Sequence, residues 1–277
     1  MIRVVVFNGG LGNQMFQYAF YLQLKKMNPR GLFAFDLEQA QRCHYGYELD
    51  KVFNITSSSQ IEEYQKLKKH SLRRLVRLHL VEQRNCLEYD SSVLKRRFFF
   101  YTRYDGYWQS EKYFLNAADA VRTSFIFNES LLNNATRDFS KLLISGNYVS
   151  VHIRRGDYLK QPEVFSLCSD EYYHRAIEYI KRKTNHPRFV FFSDEIEWVK
   201  KKYNEEGSVY VDWNQGNESW QDMYLMTQCK HNIIANSSFS WWGAWLNPKD
   251  EKIVVAPQQW FVNAPNYDVL PENWYVV

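Results

Sequence analysis

Two adjacent arginines follow an apolar run in the stretch VHIRRGDY, residues 151–158. A partly buried arginine without an anion is costly, so Arg154 and Arg155 each require a negatively charged partner. Asp157, within the same stretch, is one candidate. A phosphate of a ligand is the other, since the planar guanidinium fork matches the oxygens of a diphosphate. The pair by itself leaves both alternatives open.

A second candidate for anion binding is the stretch NSSFSWWGAWLN, residues 236–247, which follows an apolar strand-like run. If a helix begins here, Ser237, Ser238 and Ser240 lie at or near its N-terminus, where unpaired backbone N–H groups attract anions. The alternative is an ordinary serine cap with the tryptophans packed in the core. A serine-capped helix end and an arginine pair, at two strand ends of one sheet, are able to bind the same diphosphate.

The glycine-rich turn NGGLGNQM, residues 8–15, offers a competing chemistry. Gly10 and Gly12 match part of a dinucleotide-binding fingerprint, and Asp36 follows at the distance of a ribose-binding acid. This pattern favours an NAD-dependent oxidoreductase as a rival function. Met15 weakens the match, because it stands where the fingerprint requires a third small residue.

The same turn and a later acidic pair carry further polar groups. Asn13 and Gln14 offer amides suited to hydrogen bonding with a sugar or a leaving group. Asp194 and Glu195 are either ligand-facing acids or the acidic first turn of a helix. The sequence contains no Asp-x-Asp triplet that could hold a divalent cation on a diphosphate. We therefore expect the arginines to neutralise the diphosphate without a metal.

Alternating strand and helix patterns must position these turns. The alternation is most regular from residue 148 onward, which predicts a parallel, doubly wound α/β sheet. In such sheets the ligand-binding loops follow the carboxyl ends of the strands. The predicted strands are residues 2–7, 32–35, 148–153, 189–192, 209–212, 232–235 and 253–256. The predicted helices are residues 15–27, 111–122, 130–143, 195–203, 218–230, 238–246 and one from Asp170 behind a Ser169 cap.

Length and composition predict two globular domains. The chain has 277 residues, 45% hydrophobic and 24% charged, and we place the domain boundary near 145, giving domains 1–145 and 146–277. The net charge of +4 is too small for a nucleic-acid-binding protein. The 17% aromatic content fits a sugar-binding surface or an aromatic core, so a non-catalytic carbohydrate-binding protein is a second rival.

The main cluster of positive charge lies at residues 66–80, where leucines recur at helical spacing between lysines and arginines. This pattern predicts a solvated amphipathic helix or, alternatively, a helix resting on an anionic membrane, which would suit a lipid-linked substrate. The apolar run at the start is too short for a signal peptide, and no stretch reaches the roughly 18 apolar residues of a membrane span. We expect a cytoplasmic protein with peripheral membrane contact at most.

Four blocks together carry a family resemblance: NGGLGNQMFQYAF, VHIRRGDY, FFSDEIEWVKKKY and NSSFSWWGAWLN. With these four blocks in this order, the chain resembles the alpha-1,2-fucosyltransferases of glycosyltransferase family eleven. The resemblance implies a GT-B fold, with two Rossmann-like doubly wound domains facing a central cleft. It also implies transfer of L-fucose from GDP-β-L-fucose, with inversion and without a metal or other cofactor, to the 2-hydroxyl of a galactose. Surface polysaccharide synthesis is the expected setting, and another GDP-fucose-dependent O-fucosyltransferase is the alternative within this class.

The resemblance also implies roles for single residues, with domain 1–145 on the acceptor side and domain 146–277 binding the GDP-sugar. Asn13, in the loop that contains Gly10 and Gly12, lies near the transferred sugar. His152 lies by the guanosine, and Arg154 holds the β-phosphate with help from Arg155. The remaining assignments are Ser237 and Ser238 near the phosphates and Asp212 as a guanine-binding acid.

The expected reaction is a single displacement in which an acceptor hydroxyl attacks the anomeric carbon while GDP leaves. Charge grows on the β-phosphate, so Arg154 and the serine-capped helix end would act mainly on the transition state. The general base is open. Asp157 is the first candidate, against the alternative that it only pairs with an arginine, and Glu163 is the second.

Overall fold

The computed structural model describes residues 2–69, 79–83, 88–95, 101–160, 162–163, 166–204, 206–262, 264–265 and 268–277. The chain divides into two compact units. The first comprises Met1–Asn128 with Tyr267–Val269, and the second Glu129–Asn266 with Leu270–Val277. This division lies ahead of the helix at Asn134–Ser145 rather than behind it, where the sequence suggested a boundary near 145.

The first unit is built around a parallel sheet whose described strands have the spatial order 32–36, 2–6, 101–105 and 79–82. The predicted strand–turn–helix–strand at its start is confirmed. Its strands are β1 (Ile2–Val6), β2 (Leu32–Asp36), β3 (His79–Glu82) and β4 (Tyr101–Asp105). Its helices are α1 (Leu11–Met27), α2 (Leu49–Val52), α3 (Ser58–Lys69), α4 (Ser92–Lys95) and α5 (Ala118–Ser124).

The second unit contains a longer parallel sheet whose described strands have the spatial order 275–276, 254–256, 231–233, 148–153, 188–193 and 209–210. Its strands are β5 (Tyr148–Ile153), β6 (Arg188–Ser193), β7 (Val209–Tyr210), β8 (His231–Ile233), β9 (Val254–Ala256) and β12 (Tyr275–Val276). A separate antiparallel pair is formed by β10 (Gln259–Phe261) and β11 (Ala264–Pro265). The helices of the second unit are α6 (Asn134–Ser145), α7 (Asp170–Lys183), α8 (Ile196–Lys202), α9 (Trp220–Gln228) and α10 (Ser238–Leu246).

Aromatic side chains supply much of both cores. Trp108, Trp220, Trp241 and Trp242 are among the largest fully buried side chains. Trp108 stacks on Phe20 of α1 with ring centroids 4.3 Å apart. Of the two interpretations of the aromatic content, the core interpretation therefore accounts for these rings.

Each sheet has a point where the strand order reverses direction. In the first unit β1 has β2 on one side and β4 on the other, and in the second unit β5 lies between β6 and β8. Ligands of open α/β sheets bind at this reversal, beyond the carboxyl ends of the two strands. The loops after β1 and β4, and those after β5 and β8, therefore hold the candidate sites.

Three element predictions were wrong in part. The predicted helix over 111–122 consists of two 3-10 turns, Glu111–Tyr113 and Leu115–Ala117, followed by α5, which begins only at Ala118. The predicted helix over 66–80 begins inside α3, which ends at Lys69, and residue 80 belongs to β3, while residues 70–78 lie outside the described part of the chain. The predicted strand 209–212 stops at Tyr210, so Asp212 lies in a loop. Among the described helices, none combines the length and apolar character that a membrane crossing requires.

Candidate functional site

The strand register explains why the arginines meet carboxylates. Ile153 at the end of β5 pairs with Ser193 at the end of β6, so the residues that follow leave the sheet side by side. Arg154 and Arg155 thus come next to Asp194 and Glu195, which directly follow the neighbouring strand. This adjacency depends on the order and register of two parallel strands.

Arg154 forms ion pairs with two carboxylates. Its Nη2 lies 2.7 Å from Oδ1 of Asp157, and its Nη1 lies 3.2 Å from Oδ2 of Asp194. Burial lowers the pKa of Arg154, but Asp194 and Asp157 outweigh it and leave that pKa above its ordinary value. A Cβ at Gly156 would lie 2.7 Å from Oδ2 of Asp194, so the glycine of the RRGD stretch leaves room for this carboxylate. The guanidinium is fixed as a cation at the carboxyl end of β5.

Arg155 is held differently, by an acid and an indole ring. Its Nε lies 2.9 Å from Oε2 of Glu195, and its guanidinium carbon lies 3.6 Å from the ring centroid of Trp198 in α8. The backbone N–H of Arg155 donates to Oδ1 of Asp194. The sequence left open whether each arginine meets a protein carboxylate or a ligand. In the structure each has a protein carboxylate, and a phosphate must share or displace it.

His152 is the second-to-last residue of β5, just before the arginines. Its side chain is only 5% exposed, and burial, followed by the charge of Arg154, lowers its pKa to about 3. The imidazole is therefore neutral at physiological pH. Its Nδ1 has no hydrogen-bond partner among the described residues, and its ring lies 5.8 Å from that of Phe239 in α10. A neutral ring with an open nitrogen is suited to hydrogen bonding with a neutral ligand group.

The serine-rich stretch forms the predicted helix cap. Ser237 is the N-cap of α10, and its Oγ accepts a hydrogen bond from the N–H of Phe239 at 3.3 Å. Ser238 is the first helical residue and is half-buried, whereas Ser240 is buried. Trp241 packs in the core, as the alternative interpretation expected. The cap and the buried tryptophan are therefore confirmed, and anion binding by this helix end stays a prediction. The helix end lies beyond β8, next to the loop after β5.

Asn236 connects the serine loop to the arginine loop. The hydroxyl of Tyr158 donates to the backbone oxygen of Asn236 at 2.9 Å, and the guanidinium of Arg154 lies 5.6 Å from the Tyr158 ring centroid. The Nδ2 of Asn236 donates to the backbone oxygens of Ser166 and Trp260. Sequence reasoning missed this asparagine. Its place directly after a strand was the available signal, since Asn side chains commonly bond to nearby backbone.

The glycine loop of the first unit is built at the carboxyl end of β1. Gly10 is the N-cap of α1 and contributes no side-chain cap, while Gly12 is buried within the first turn. Gly9 has a positive φ of 70°, and a Cβ there would lie 2.4 Å from Nδ2 of Asn13. Oδ1 of Asn13 accepts a hydrogen bond from Nε2 of Gln109 at 2.8 Å. Gln109 was not singled out from the sequence.

The expectation for Gln14 was wrong. Its side chain is fully buried, and its Nε2 donates to the backbone oxygens of Gly9 and Gly46. Its Oε1 accepts from the backbone N–H of Glu48. The amide therefore holds two loops together and is not available to a ligand. Alternation of polar and apolar residues cannot separate these two uses of an amide.

The acid expected for a ribose is already engaged. Asp36 at the end of β2 is almost fully buried and forms an ion pair with Arg103 of β4. Its Oδ1 also accepts a hydrogen bond from the backbone N–H of Glu38. These contacts leave Asp36 poorly placed for the NAD-binding role.

The remaining candidate acids differ in exposure. Asp212 is exposed and lies 2.7 Å from Nζ of Lys200, and Glu163 is exposed. Asp222 in α9, which sequence reasoning missed, is buried and accepts a hydrogen bond from Nδ2 of Asn214 at 2.9 Å. Burial raises its pKa to about 8. Within the described residues, no group of three or more His, Cys, Asp or Glu side chains could hold a metal ion.

A family model described as Glycosyl transferase family 11 matches residues 2–275. The chain belongs to glycosyltransferase family 11. It is 36% identical to an alpha-1,2-colitosyltransferase of Escherichia coli over 96% of this chain and 95% of that protein. It is 32% identical to the Escherichia coli O-antigen biosynthesis glycosyltransferase WbnK, over 96% and 97%. It is 27% identical to Homo sapiens galactoside alpha-(1,2)-fucosyltransferase 1, over 86% of this chain and 64% of that protein.

Solved structures of fucosyltransferases share the fold of this family 11 enzyme. Fucosyltransferase NodZ from Bradyrhizobium has a TM-score of 0.52 at 12% identity, over 87% of this chain and 92% of that one. A mutant of Arabidopsis thaliana FUT1 in complex with GDP has a TM-score of 0.51 at 12% identity, over 91% and 70%. The two parallel-sheet units thus have the GT-B fold that the resemblance implied. As a glycosyltransferase, the chain is neither the oxidoreductase nor the non-catalytic binding protein considered from sequence.

Proposed function

We propose that the enzyme transfers L-fucose from GDP-β-L-fucose to the 2-hydroxyl of a galactose in a glycan, with inversion and without a metal. One observation carries the donor assignment. Arg154 and the Ser237–Ser238 helix end lie beyond adjacent strands, β5 and β8, where the order of the second sheet reverses. A guanidinium, backbone N–H groups and small hydroxyls at this point match the oxygens of a diphosphate.

The ion pairs of Arg154 are compatible with this role. A guanidinium has five N–H groups, and its contacts with Asp157 and Asp194 are each made by one terminal nitrogen. The remaining N–H groups are able to bind a β-phosphate oxygen while the carboxylates fix the plane of the fork. As the glycosidic bond breaks, charge grows on that phosphate, and Arg154 with the α10 end stabilises it.

The acceptor hydroxyl must lose a proton as it attacks. We assign this proton to Asp157, with Glu163 as the alternative. Because inversion places the attacking hydroxyl on the face of the sugar opposite GDP, this role requires the carboxylate to reach that face in the bound state. His152, neutral and with an open Nδ1, is assigned to the guanosine. Asp212 is assigned to the guanine, and this role requires its ion pair with Lys200 to break when GDP binds.

The proposed acceptor is a galactose-terminated glycan, lipid-linked at the cytoplasmic face of a membrane. The last turn of α3 supports a peripheral contact, since it carries Lys66, Lys68 and Lys69. Anionic vesicles test this contact directly: charge reversal of Lys66 and Lys69 should reduce co-sedimentation, and unchanged binding would contradict it.

A screen of donors and acceptors tests the function. GDP-fucose, GDP-colitose and GDP-mannose are each supplied with lactose and with galactosyl-N-acetylgalactosamine, with and without EDTA. We expect transfer from GDP-fucose to the galactose 2-hydroxyl, unaffected by EDTA. GDP-colitose is the second candidate donor because of the 36% identical colitosyltransferase. Transfer that stops in EDTA would contradict the metal-free mechanism, and a product of retained configuration would contradict inversion.

A further inference from the structure

Gln109 has a buried hydrogen-bond acceptor that is not used. The residue follows β4 and is only 6% exposed. Its Nε2 donates to Oδ1 of Asn13, whereas its own Oε1 has no partner among the described residues. Leaving a buried carbonyl oxygen unpaired is unfavourable, so such a group calls for an explanation.

The loop that carries Gln109 is built to hold this side chain in place. Trp108 has a φ of 56°, in the left-handed region that is unfavourable for a large residue. Its ring is fully buried against Phe20, and its backbone N–H donates to Oε1 of Gln83 at 2.8 Å. Packing and this hydrogen bond fix the turn, so the position of Gln109 is set by the core of the first unit.

The unpaired oxygen lies where a ligand is expected. The loops after β1 and β4 meet at the reversal point of the first sheet, and Gln109 joins them through Asn13. The Asn13 amide and the unpaired acceptor on Gln109 together match a sugar ring, whose hydroxyls both donate and accept.

A second buried glutamine provides a comparison. Gln23 also has an unpaired Oε1, but it lies near the far end of α1, away from the strand-end loops. Both glutamines carry the cost of an unpaired oxygen. Of the two, only Gln109 contacts Asn13. Comparing substitutions of the two glutamines therefore distinguishes a general effect of a buried unpaired oxygen from an effect on ligand binding.

We propose that Oε1 of Gln109 accepts a hydrogen bond from one hydroxyl of a sugar bound at the Asn13 loop, and that it selects against the deoxy sugar lacking that hydroxyl. The inference rests on the proposed function, since it requires a glycosyl donor and a glycan acceptor. Its chemistry bears on the choice of donor, because colitose is fucose without its 3-hydroxyl. If the hydroxyl is that one, Gln109 decides between the two donors.

The test compares wild type with Gln109→Met, which keeps the length of the side chain and removes both the unpaired acceptor and the Nε2 donor to Asn13. One arm measures kcat/KM with GDP-fucose and its 2-, 3- and 4-deoxy analogues, and the other uses a β-galactoside acceptor and its 3-, 4- and 6-deoxy analogues. In wild type we expect one analogue to lose about 10- to 100-fold. In Gln109→Met the parent sugar should fall to the level of that analogue. The arm in which this happens identifies the sugar.

Thermal unfolding without ligand gives a second readout. Gln109→Met also loses the Nε2 donor to Oδ1 of Asn13, so its Tm should fall slightly while unfolding stays cooperative, which shows that any change in discrimination is not due to misfolding. Gln23→Met is the matched control, and it should retain the wild-type discrimination among the analogues. Discrimination that persists in Gln109→Met in both arms would overturn the proposal. Failure of the proposed function would be seen differently, as a wild-type enzyme that does not use GDP-fucose. In that case the Gln109 test uses deoxy analogues of the donor that the enzyme does accept.

Discussion

The Nη2 atom of Arg154 lies 2.7 Å from the Oδ1 atom of Asp157. The cation that we assign to the β-phosphate is thus already paired inside the protein, and Asp194 lies 3.2 Å from its other terminal nitrogen. Phosphate binding must either add to these pairs or replace one of them. Substituting Asp157 or Asp194 and measuring GDP affinity and turnover distinguishes these two possibilities.

Substitution of Arg154 should remove most of the transfer activity. Arg154→Lys keeps the charge but loses the planar fork, and we expect kcat to fall about 10²- to 10³-fold, as for other lost transition-state donors. Steady-state kinetics with GDP-fucose measures the loss, and circular dichroism checks folding. Turnover like that of wild type would remove Arg154 from the mechanism.

Asp157→Asn separates pairing from proton transfer. Loss of one carboxylate beside Arg154 should tighten GDP binding by about 10-fold, since two charges this close interact by a few kcal/mol at most. If Asp157 also accepts the acceptor proton, kcat falls and the acidic limb of the pH–rate profile disappears. Asp194→Asn is the matched control, expected to tighten GDP binding and keep that limb. A profile unchanged in Asp157→Asn would exclude Asp157 as the base.

The Ser237 cap should affect both stability and GDP binding. Ser237→Ala removes the hydrogen bond to the N–H of Phe239 and should cost about 1 kcal/mol of unfolding free energy. Ser169→Ala removes the equivalent cap of α7, where Oγ accepts from the N–H of Tyr172, and should cost a similar amount. Titration with GDP distinguishes them: affinity should weaken in Ser237→Ala only. Equal affinity in both variants would make Ser237 a cap and nothing more.

Arg155 and Trp198 should be energetically coupled. The guanidinium of Arg155 stacks on the indole at 3.6 Å, so Arg155→Lys and Trp198→Leu each lose the same contact. A double-mutant cycle followed by urea unfolding should give a coupling energy of about 0.5–2 kcal/mol. Additive effects would show that the stack contributes nothing. A loss of GDP binding in Arg155→Lys as large as in Arg154→Lys would instead assign both arginines to the phosphates.

Asp222 should make stability depend on pH. Its pKa is about 8 in the folded chain, against an ordinary value of 3.8 for an aspartate in water. Between these values the folded state keeps a proton that the unfolded state releases, so the free energy of unfolding decreases as pH rises toward about 8. Asp222→Asn should flatten this decrease, as measured by urea unfolding at several pH values. Glu48→Gln is the control, because burial raises the pKa of Glu48 to about 7 and its effect should level off at lower pH. Parallel curves for wild type and Asp222→Asn would contradict the assignment.

Local signals in the sequence predicted much of the second unit correctly. The strand over 148–153 was identified to the residue, and Ser169 and Ser237 are the caps of α7 and α10 as predicted. These features depend on a few consecutive residues, namely apolar runs, β-branching and side-chain oxygens at helix starts. The family could be recognised for the same reason, since its motifs are short blocks.

The errors at the candidate site come from groups whose partners are distant in the chain. Gln14 was expected to face a ligand but bonds to Gly46 and Glu48, while Gln109, not considered, contacts Asn13. No periodicity distinguishes an amide that holds two loops from one that faces a ligand. The choice depends on which loops the strand order brings together.

Local patterns in the sequence were enough to predict that an arginine pair and a serine-capped helix would each follow a strand of a parallel sheet. The groups that they contact there follow from the fold. The pairing of Ile153 with Ser193 brings Asp194 to Arg154 and Glu195 to Arg155, and the pairing of β5 with β8 brings in Ser237. Register and strand order are set by the packing of side chains far apart in sequence. A run of neighbouring residues therefore does not contain them.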